Sequence, residues 1–435
     1  MFQWMRDLTS SERRTMAGCF GGWSLDALDV QIYSFVIPTL LTVWQISKGQ
    51  AGLLGTVTLV VSSFGGWFAG ALSDRYGRVR VLQITVLWYA VFTFLCGFAQ
   101  NFEQLFVLRA MQGLGFGAEW SAGAVLMGEM IRDKYRGRAV GFVQSGWAVG
   151  WGAAALLYTV LYAVLPDATA WRVMFWIGLT PALLVLWIRR TIHEPEVFKT
   201  RRIVDTNSLA QAFAVLKPPY LSTTLKVALM VTGAQGGSYA LSVWLPTFLK
   251  TERHLSSLNT GSYLLIHILG AFIGFLAGAY LADAIGRKRT FIVSAIGSVL
   301  CLIIYLAAPI SDGWMLVLGA PLGFILYMMF SAMGPFMTEL YPTEVRGAGQ
   351  GFCYNSGRAM GALFPTLVGF LSDRLGLGTA ILLFAVLGYG VMLLALMLLP
   401  ETKGRVVSAI TPNDMGSMQP APATRDGYAE SLNRG

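Results

Sequence analysis

Long apolar runs separated by short polar loops dominate the pattern of this chain. A membrane-spanning helix needs about 20 predominantly apolar residues. The hydrophobic pattern predicts twelve such segments, at 15–42, 50–72, 79–99, 103–130, 138–163, 171–189, 219–249, 258–282, 288–308, 313–338, 347–371 and 377–399. We therefore expect an all-α integral membrane protein with twelve transmembrane helices.

The twelve segments form two sets of six. A basic, proline-containing stretch at 190–218 separates the sets, and a polar tail follows at 401–435. The pattern predicts a six-helix bundle over 1–189, a cytoplasmic linker, a second six-helix bundle over 219–400, and a disordered cytoplasmic tail.

Two polar landmarks are repeated between the halves. Residues 70–80 read GALSDRYGRVR, and residues 279–289 read AYLADAIGRKR. The second landmark is a glutamate followed by an arginine and a glycine, namely Glu129 with Arg136 and Glu339 with Arg346. Because both landmarks recur at nearly the same offset, the halves are predicted to be pseudo-repeats of one duplicated unit.

Composition agrees with a membrane protein. Of the 435 residues, 55% are hydrophobic and 13% are charged, whereas a soluble domain has about 25% charged residues. The net charge is +9, but the basic residues lie in short loops, where they indicate membrane topology rather than a nucleic-acid surface. Most of the 32 lysines and arginines fall on the side of the two termini, which predicts that both termini are cytoplasmic.

Other classes of function have no support in the sequence. The four cysteines lie inside predicted helices without CxxC or Cys/His spacing, so we expect neither a disulfide nor a metal site. The chain has no nucleotide-binding loop and no nucleophile–base arrangement. We therefore expect no enzyme activity, no cofactor and no nucleic-acid partner.

The repeated loop, its topology and the closing segment Pro400–Gly404 resemble the major facilitator superfamily. The resemblance implies two six-helix bundles around a central cavity that opens alternately to each side of the membrane. Ala279 departs from the family loop, which usually has glycine there.

Three stretches resemble the proton-coupled organic-acid symporters of that superfamily, a group that includes aromatic-acid, sialate–lactate and general metabolite branches. They are Leu25–Asp29, Arg109–Trp120 and Tyr354–Arg358. The aromatic-acid branch typically has glycine where this chain has Ala27.

Three ionisable residues are predicted to lie at one depth in the membrane. Asp26, Glu119 and Arg358 are each about eleven residues from the inner end of a predicted helix, or roughly 16 Å deep. Ionisable groups are costly in a bilayer and are functional candidates by default. Two acids and one base at one level suggest a shared cavity.

The paired aspartates of the first helix are candidates for proton coupling. Asp26 and Asp29 share a helix face, and two carboxylates so close do not both ionise easily in a dry site. The resemblance associates an arginine at the position of Arg109 with proton-linked transport, and Glu119 completes the predicted coupling set. Alternatively, one aspartate pairs with Arg109 or Lys226 to hold the bundles together, or Arg109 hydrogen-bonds backbone carbonyls.

Arg358 is the main candidate for substrate binding. It has no counterpart in the first half, and a planar guanidinium suits bidentate capture of a carboxylate. Asn355, Tyr33 and Gln112 complete the predicted substrate set. The alternative is a structural ion pair of Arg358 with an acid. His267, the sole histidine in a predicted helix, is read as packed and hydrogen-bonded, with a proton relay as the alternative.

The repeated loops are predicted to gate the transporter. Their aspartates are expected to accept hydrogen bonds from a helix N-terminus or an arginine in the outward-open state, and the alternative is that these charges only set topology. The predicted gating residues are Asp74, Arg75, Gly77, Arg78, Asp283, Gly286, Arg287, Glu129, Arg136, Glu339 and Arg346.

Together these features predict a monomeric, multi-pass inner-membrane transporter. It is expected to import an organic-acid anion with protons, either an aromatic acid, its ring-cleavage product or a small monocarboxylate. Three alternatives stay open. The first is proton-driven efflux of drugs, which is disfavoured because helix 5 lacks the Gly-Pro pair of such exporters. The other two are a sugar-type uniporter and a non-transporting sensor.

Overall fold

The structure is a computed structural model that describes residues 3–180, 182, 183, 214–342 and 345–404. Most of the predicted linker and nearly all of the predicted tail lie outside these residues. Some side chains within the helices also lie outside the description, between positions 69 and 78 and between 118 and 138. Throughout the described part the regular structure is helical, with no strand.

Six helices form the first bundle. After a short 3-10 helix at Gln3–Asp7, they are α1 (Ser10–Val43), α2 (Lys48–Tyr76), α3 (Arg78–Cys96), α4 (Phe102–Met130), α5 (Asp133–Val164) and α6 (Asp167–Ile177).

The second bundle repeats this order. Its helices are α7 (Leu221–Thr251), α8 (Ser257–Ile285), α9 (Arg287–Leu302), α10 (Asp312–Thr338), α11 (Arg346–Gly361), α12 (Leu363–Leu375) and α13 (Leu377–Met397). A π-helical turn, Ile303–Ala307, continues α9. A break at Ala362 divides one predicted segment into α11 and α12.

The predicted all-α membrane architecture is confirmed. Eight helices are long and apolar enough to cross a membrane, judged by length and composition within the described residues. The remaining segments, α4, α6, α7 and the α11–α12 pair, are shorter or more polar along their described parts.

The duplicated loops end their helices in the same way. Gly77 lies between α2 and α3 with φ of 100°, and Gly286 lies between α8 and α9 with φ of 103°. Residues with a Cβ atom rarely adopt this backbone conformation. The repeated glycine therefore has a local structural cause in both halves.

Close backbone contact holds helices together within each bundle. A Cβ atom on Gly150 of α5 would lie 1.7 Å from the Ser24 carbonyl oxygen of α1. One on Gly270 of α8 would lie 1.9 Å from the Ala320 carbonyl oxygen of α10. Small residues at such crossings let membrane helices approach closely, which increases van der Waals contact.

Contacts along α2 and along α5 join the bundles. Along α2, Thr56 hydrogen-bonds Thr366 of α12 with 2.7 Å between the hydroxyl oxygens, and Trp67 stacks on Phe352 of α11. On the other side α5 packs along α8, where Gly261 leaves room for the Thr159 hydroxyl. The bundles are therefore in contact over much of the height of the membrane domain.

Candidate transport site

Arg358 lies where the two bundles meet. It belongs to α11 and is only 1% exposed. Its guanidinium carbon lies 5.0 Å from the ring centroid of Phe116 on α4 and 4.8 Å from that of Tyr354 on its own helix. Nη1 donates to the Ser62 hydroxyl of α2 at 3.5 Å. The side chain thus contacts both halves of the duplicated fold.

The charge of Arg358 is only partly compensated by its surroundings. Asp26 of α1, fully buried, interacts with it electrostatically, and its guanidinium hydrogen-bonds the hydroxyl groups of Tyr239 on α7 and of Tyr354. The Arg358 Nε is buried and has no hydrogen-bond partner among the described residues. A cation removed from water needs counter-charge and hydrogen bonds to offset its desolvation. This site is therefore suited to an anion.

Asn355 lies one turn before Arg358 on the same helix. Its Nδ2 donates to the Gly351 carbonyl at 2.9 Å, whereas its buried Oδ1 has no partner in the part of the chain that the structure describes. The side chain faces Gly66 of α2, where a Cβ atom would lie 2.6 Å from Oδ1. The structure therefore brings Asn355 and Arg358 together against α2.

A second polar network lies entirely within the first bundle. Thr93 donates from Oγ1 to Asp29 Oδ2 at 3.0 Å, and Gln112 donates from Nε2 to Thr93 Oγ1 at 2.7 Å. Arg109 donates from Nη1 to Gln112 Oε1 at 2.9 Å. Its guanidinium carbon lies 4.3 Å from the ring centroid of Tyr33, a cation–π distance. Asp29 is thereby connected to Arg109 through two polar side chains.

The structure divides the predicted residues into two groups. Asp26 interacts electrostatically with Arg358, whereas Asp29 is linked to Arg109 by hydrogen bonds through Thr93 and Gln112. The two aspartates are nevertheless only one turn apart on α1. The sequence analysis grouped Tyr33 and Gln112 with Arg358. In the structure the Gln112 amide belongs to the Asp29 network, and the Tyr33 hydroxyl donates to the Ala51 carbonyl oxygen.

Several predicted residues cannot be placed by their side chains. Glu119 lies on α4, but its side chain lies outside the described residues, as do those of Asp74, Arg75, Arg78, Glu129 and Arg136. Among the side chains that are described, no group of three or more His, Cys, Asp and Glu is arranged to hold a metal ion.

The second repeated loop forms an ionic network. Arg287 at the start of α9 donates from Nη2 to Asp283 at 3.0 Å and to Glu339 at 3.1 Å. The Thr402 hydroxyl donates to Glu339 at 2.6 Å. Burial raises the pKa of Glu339, and hydrogen bonds from Thr402 and Arg287 partly offset that rise. Arg346, the predicted partner of Glu339, donates from Nε to the Thr338 carbonyl oxygen at 3.1 Å.

Sequence reasoning missed some members of these networks. Glu401 accepts hydrogen bonds from the backbone N–H groups of Arg287 and Lys288, at 3.0 and 3.1 Å, and so caps α9. The Pro400–Gly404 segment was a signal for this contact. Thr93, the residue that links Asp29 to Gln112, had no such signal, because threonine is common in membrane helices.

Comparison with known proteins agrees with this architecture. The family model of the major facilitator superfamily matches residues 19–365 and 227–414. A probable 4-methylmuconolactone transporter of Cupriavidus pinatubonensis is 41% identical over 96% of this chain and 97% of its own length. A cis,cis-muconate transport protein of Acinetobacter baylyi is 30% identical over 82% of this chain and 87% of its own length.

Among solved structures, the proton:xylose symporter XylE superposes with a TM-score of 0.69 at 18% identity, covering 92% of this chain and 98% of the symporter. That level of identity shows the fold alone. The chain is a membrane transporter and not an enzyme. It belongs to the major facilitator superfamily.

The Glu339 network predicts a pH-dependent stability defect. Arg287→Ala removes the cation beside Glu339, so the carboxyl group keeps its burial cost and its pKa rises further. Below that pKa Glu339 is protonated and needs no counter-charge, whereas above it the buried anion destabilises the fold. We expect Arg287→Ala to lower the melting temperature in detergent by a few degrees more at pH 8 than at pH 5.

Arg289→Ala is the matched control, because Arg289 is an exposed arginine of the same turn. Its melting temperature should follow that of the wild-type protein at both pH values. An equal deficit of Arg287→Ala at pH 5 and pH 8 would contradict the role given to the Glu339 charge.

Proposed function

We propose that this transporter imports an organic-acid anion together with protons, and that Arg358 binds the substrate carboxylate. The observation that carries the proposal is a fully buried guanidinium at the junction of the bundles, with a buried Nε that has no described partner. A planar guanidinium forms short, strong, bidentate hydrogen bonds with carboxylates. The names of the relatives, transporters of muconate and of a muconolactone, support ring-cleavage products as the substrate class.

Asp26 gives the site a means of coupling. In the empty transporter the ionised Asp26 supplies counter-charge to Arg358. When Asp26 takes up a proton it no longer competes for the guanidinium, and the substrate carboxylate replaces it. Proton and anion therefore load together, and Arg358 has one anionic neighbour in either state.

Asp29 is proposed as a second protonation site on the same pathway. Its ionised form accepts the hydrogen bond from Thr93, and Arg109 is two hydrogen-bonded residues away. The Asp29 Oδ1 is buried without a partner among the described residues, which leaves an oxygen available for a proton. Glu119, from its position on α4, is a third candidate.

Alternating access requires contacts between the bundles that can separate. The α2 contacts serve this role in the proposal, with Lys48 and Asp373 3.9 Å apart near one end and Trp67 against Phe352 nearer the other. The Arg287, Glu339 and Glu401 network holds α8, α9, α10 and the segment after α13 together at the face with the repeated loops, within the second bundle. The distribution of basic residues supports placing that face and both termini in the cytoplasm. A monomer in the inner membrane completes the proposal, because the duplicated halves of one chain are sufficient to enclose a central site.

Replacing the Arg358 guanidinium tests the substrate site. We expect Arg358→Ala and Arg358→Lys to weaken binding of muconate-type or aromatic acids by about 10- to 100-fold, since a charge-assisted hydrogen bond contributes about 1.5–3 kcal/mol. Isothermal titration calorimetry on the purified transporter measures the loss. Arg253→Lys, a change at a surface ion pair with Asp312, should bind like the wild type. Full affinity of Arg358→Ala would refute the assignment.

Neutralising the aspartates tests the coupling. We expect Asp26→Asn and Asp29→Asn to retain exchange of labelled substrate between equal pools, while accumulation driven by a pH gradient falls at least tenfold. Proteoliposomes permit both assays on one preparation. Asp312→Asn, at an exposed position that pairs with Arg253 within the second bundle, is the control and should accumulate substrate normally. Wild-type accumulation by the double Asp26→Asn, Asp29→Asn variant would overturn the coupling role.

A further inference from the structure

His267 is a buried polar residue that the proposed mechanism does not use. It lies on α8 with no exposed surface. Its ring meets Trp151 of α5 edge to face, with 5.4 Å between centroids, and Tyr327 of α10 at 6.2 Å. Trp151 and Tyr327 also contact each other, at 5.6 Å. The three rings therefore form one cluster to which both bundles contribute.

Hydrogen bonding fixes which nitrogen of His267 carries the proton. Nδ1 lies 3.2 Å from the Gly319 carbonyl oxygen. Because a carbonyl oxygen only accepts, Nδ1 is the donor, and the neutral ring has its lone pair on Nε2. Nε2 is buried without a partner among the described residues, as is the indole Nε1 of Trp151.

Two neighbouring rings therefore each have a buried nitrogen without a described hydrogen-bond partner, and one nitrogen is an acceptor while the other is a donor. The imidazole Nε2 accepts a hydrogen bond, and an indole N–H only donates. Native interiors contain few such groups, and each of them calls for an explanation. A hydroxyl group has both complementary capacities, because it can donate to an imidazole nitrogen and accept from an indole N–H.

The cluster is continuous with the Arg358 site. The Phe116 ring lies 5.0 Å from the Arg358 guanidinium carbon and 6.4 Å from the ring of Trp147. Trp147 lies one turn before Trp151 on α5. An aromatic surface therefore leads from the guanidinium to the imidazole. A flat or conjugated acid has a face that can stack along it.

We propose that His267 and Trp151 bind the end of the substrate opposite its Arg358-bound carboxylate, and that this end has a hydroxyl or a second, protonated carboxyl. This inference rests on the proposed function, because it assumes that Arg358 holds the first carboxylate. A site built to hydrogen-bond a hydroxyl rejects the analogue that lacks it, since its own polar groups are then left unpaired. His267 and Trp151 therefore set specificity within the organic acids.

Two pairs of acids test the proposal. 4-Hydroxybenzoate differs from benzoate by one hydroxyl, and muconate differs from 2,4-hexadienoate by a carboxyl in place of a methyl group. Calorimetry at mildly acidic pH gives the affinity ratio within each pair. We expect the wild-type protein to prefer the member with the extra group by at least fivefold in one or both pairs.

Two substitutions remove the polar atoms separately. In His267→Asn the amide reproduces the Nδ1–H bond to Gly319 but has no atom at Nε2, and Trp151→Phe keeps an aromatic ring without the N–H. Each should reduce the affinity ratio to about one. His254→Asn, at an exposed loop histidine, should keep the wild-type ratio. Melting temperatures without ligand identify a variant that is misfolded, and the other variant then decides.

The outcomes separate this inference from the function on which it rests. A wild-type preference that persists in both variants, or the absence of any preference within either pair, overturns the specificity role while acid binding at Arg358 stands. Failure of the wild-type protein to bind any of the four acids overturns both. Loss of the preference in the variants, with binding of all four acids weakened about 10- to 100-fold in Arg358→Ala, supports both.

Discussion

The cost of keeping a guanidinium away from water is the constraint on which the account of this transporter depends. Arg358 is buried where α11 meets α2 and α4, against aromatic rings, tyrosine hydroxyls and one serine hydroxyl. An unpaired charge in such surroundings is strongly unfavourable. The protein therefore needs an anion beside Arg358 whenever the site is closed, and in our proposal Asp26 and the substrate carboxylate alternate in that role.

The helix packing explains how such a site can exist between two bundles. Within each bundle, glycines such as Gly150 and Gly270 bring backbones into contact, which makes each half a rigid unit. Between the bundles there are side-chain contacts, such as Thr56 with Thr366 and Trp67 with Phe352, together with a close backbone approach of α2 and α12 at Gly369. Rigid halves joined by contacts of this kind can move against each other about a central site.

The sequence predicts the helices well because apolar length is a local property. The predicted segment 313–338, for example, corresponds to α10 at Asp312–Thr338. The repeated glycines were also predictable, because a positive φ angle at Gly77 and Gly286 restricts the residue type. Equal depth was the reason for expecting Asp26 near Arg358, since rise per residue converts sequence distance into height, and the two residues interact electrostatically.

The partners of these residues were not predictable in the same way. Asp26 and Asp29 share a helix face, yet Asp29 bonds Thr93 on another helix, and no sequence rule selects that threonine. Arg346 was matched to Glu339 by the repeat, whereas Glu339 contacts Arg287 and Thr402. Such contacts depend on rotation of helices about their axes and on rotamers, which single-sequence patterns do not specify.

The most direct test of proton-coupled uptake is the external pH of lightly buffered proteoliposomes when a muconate-type acid is added. Symport consumes external protons with the anion, so the account predicts rapid alkalinisation with the wild-type protein and none with Asp26→Asn. Substrate entry without any pH change, or acidification on addition of lipophilic cations, would contradict it.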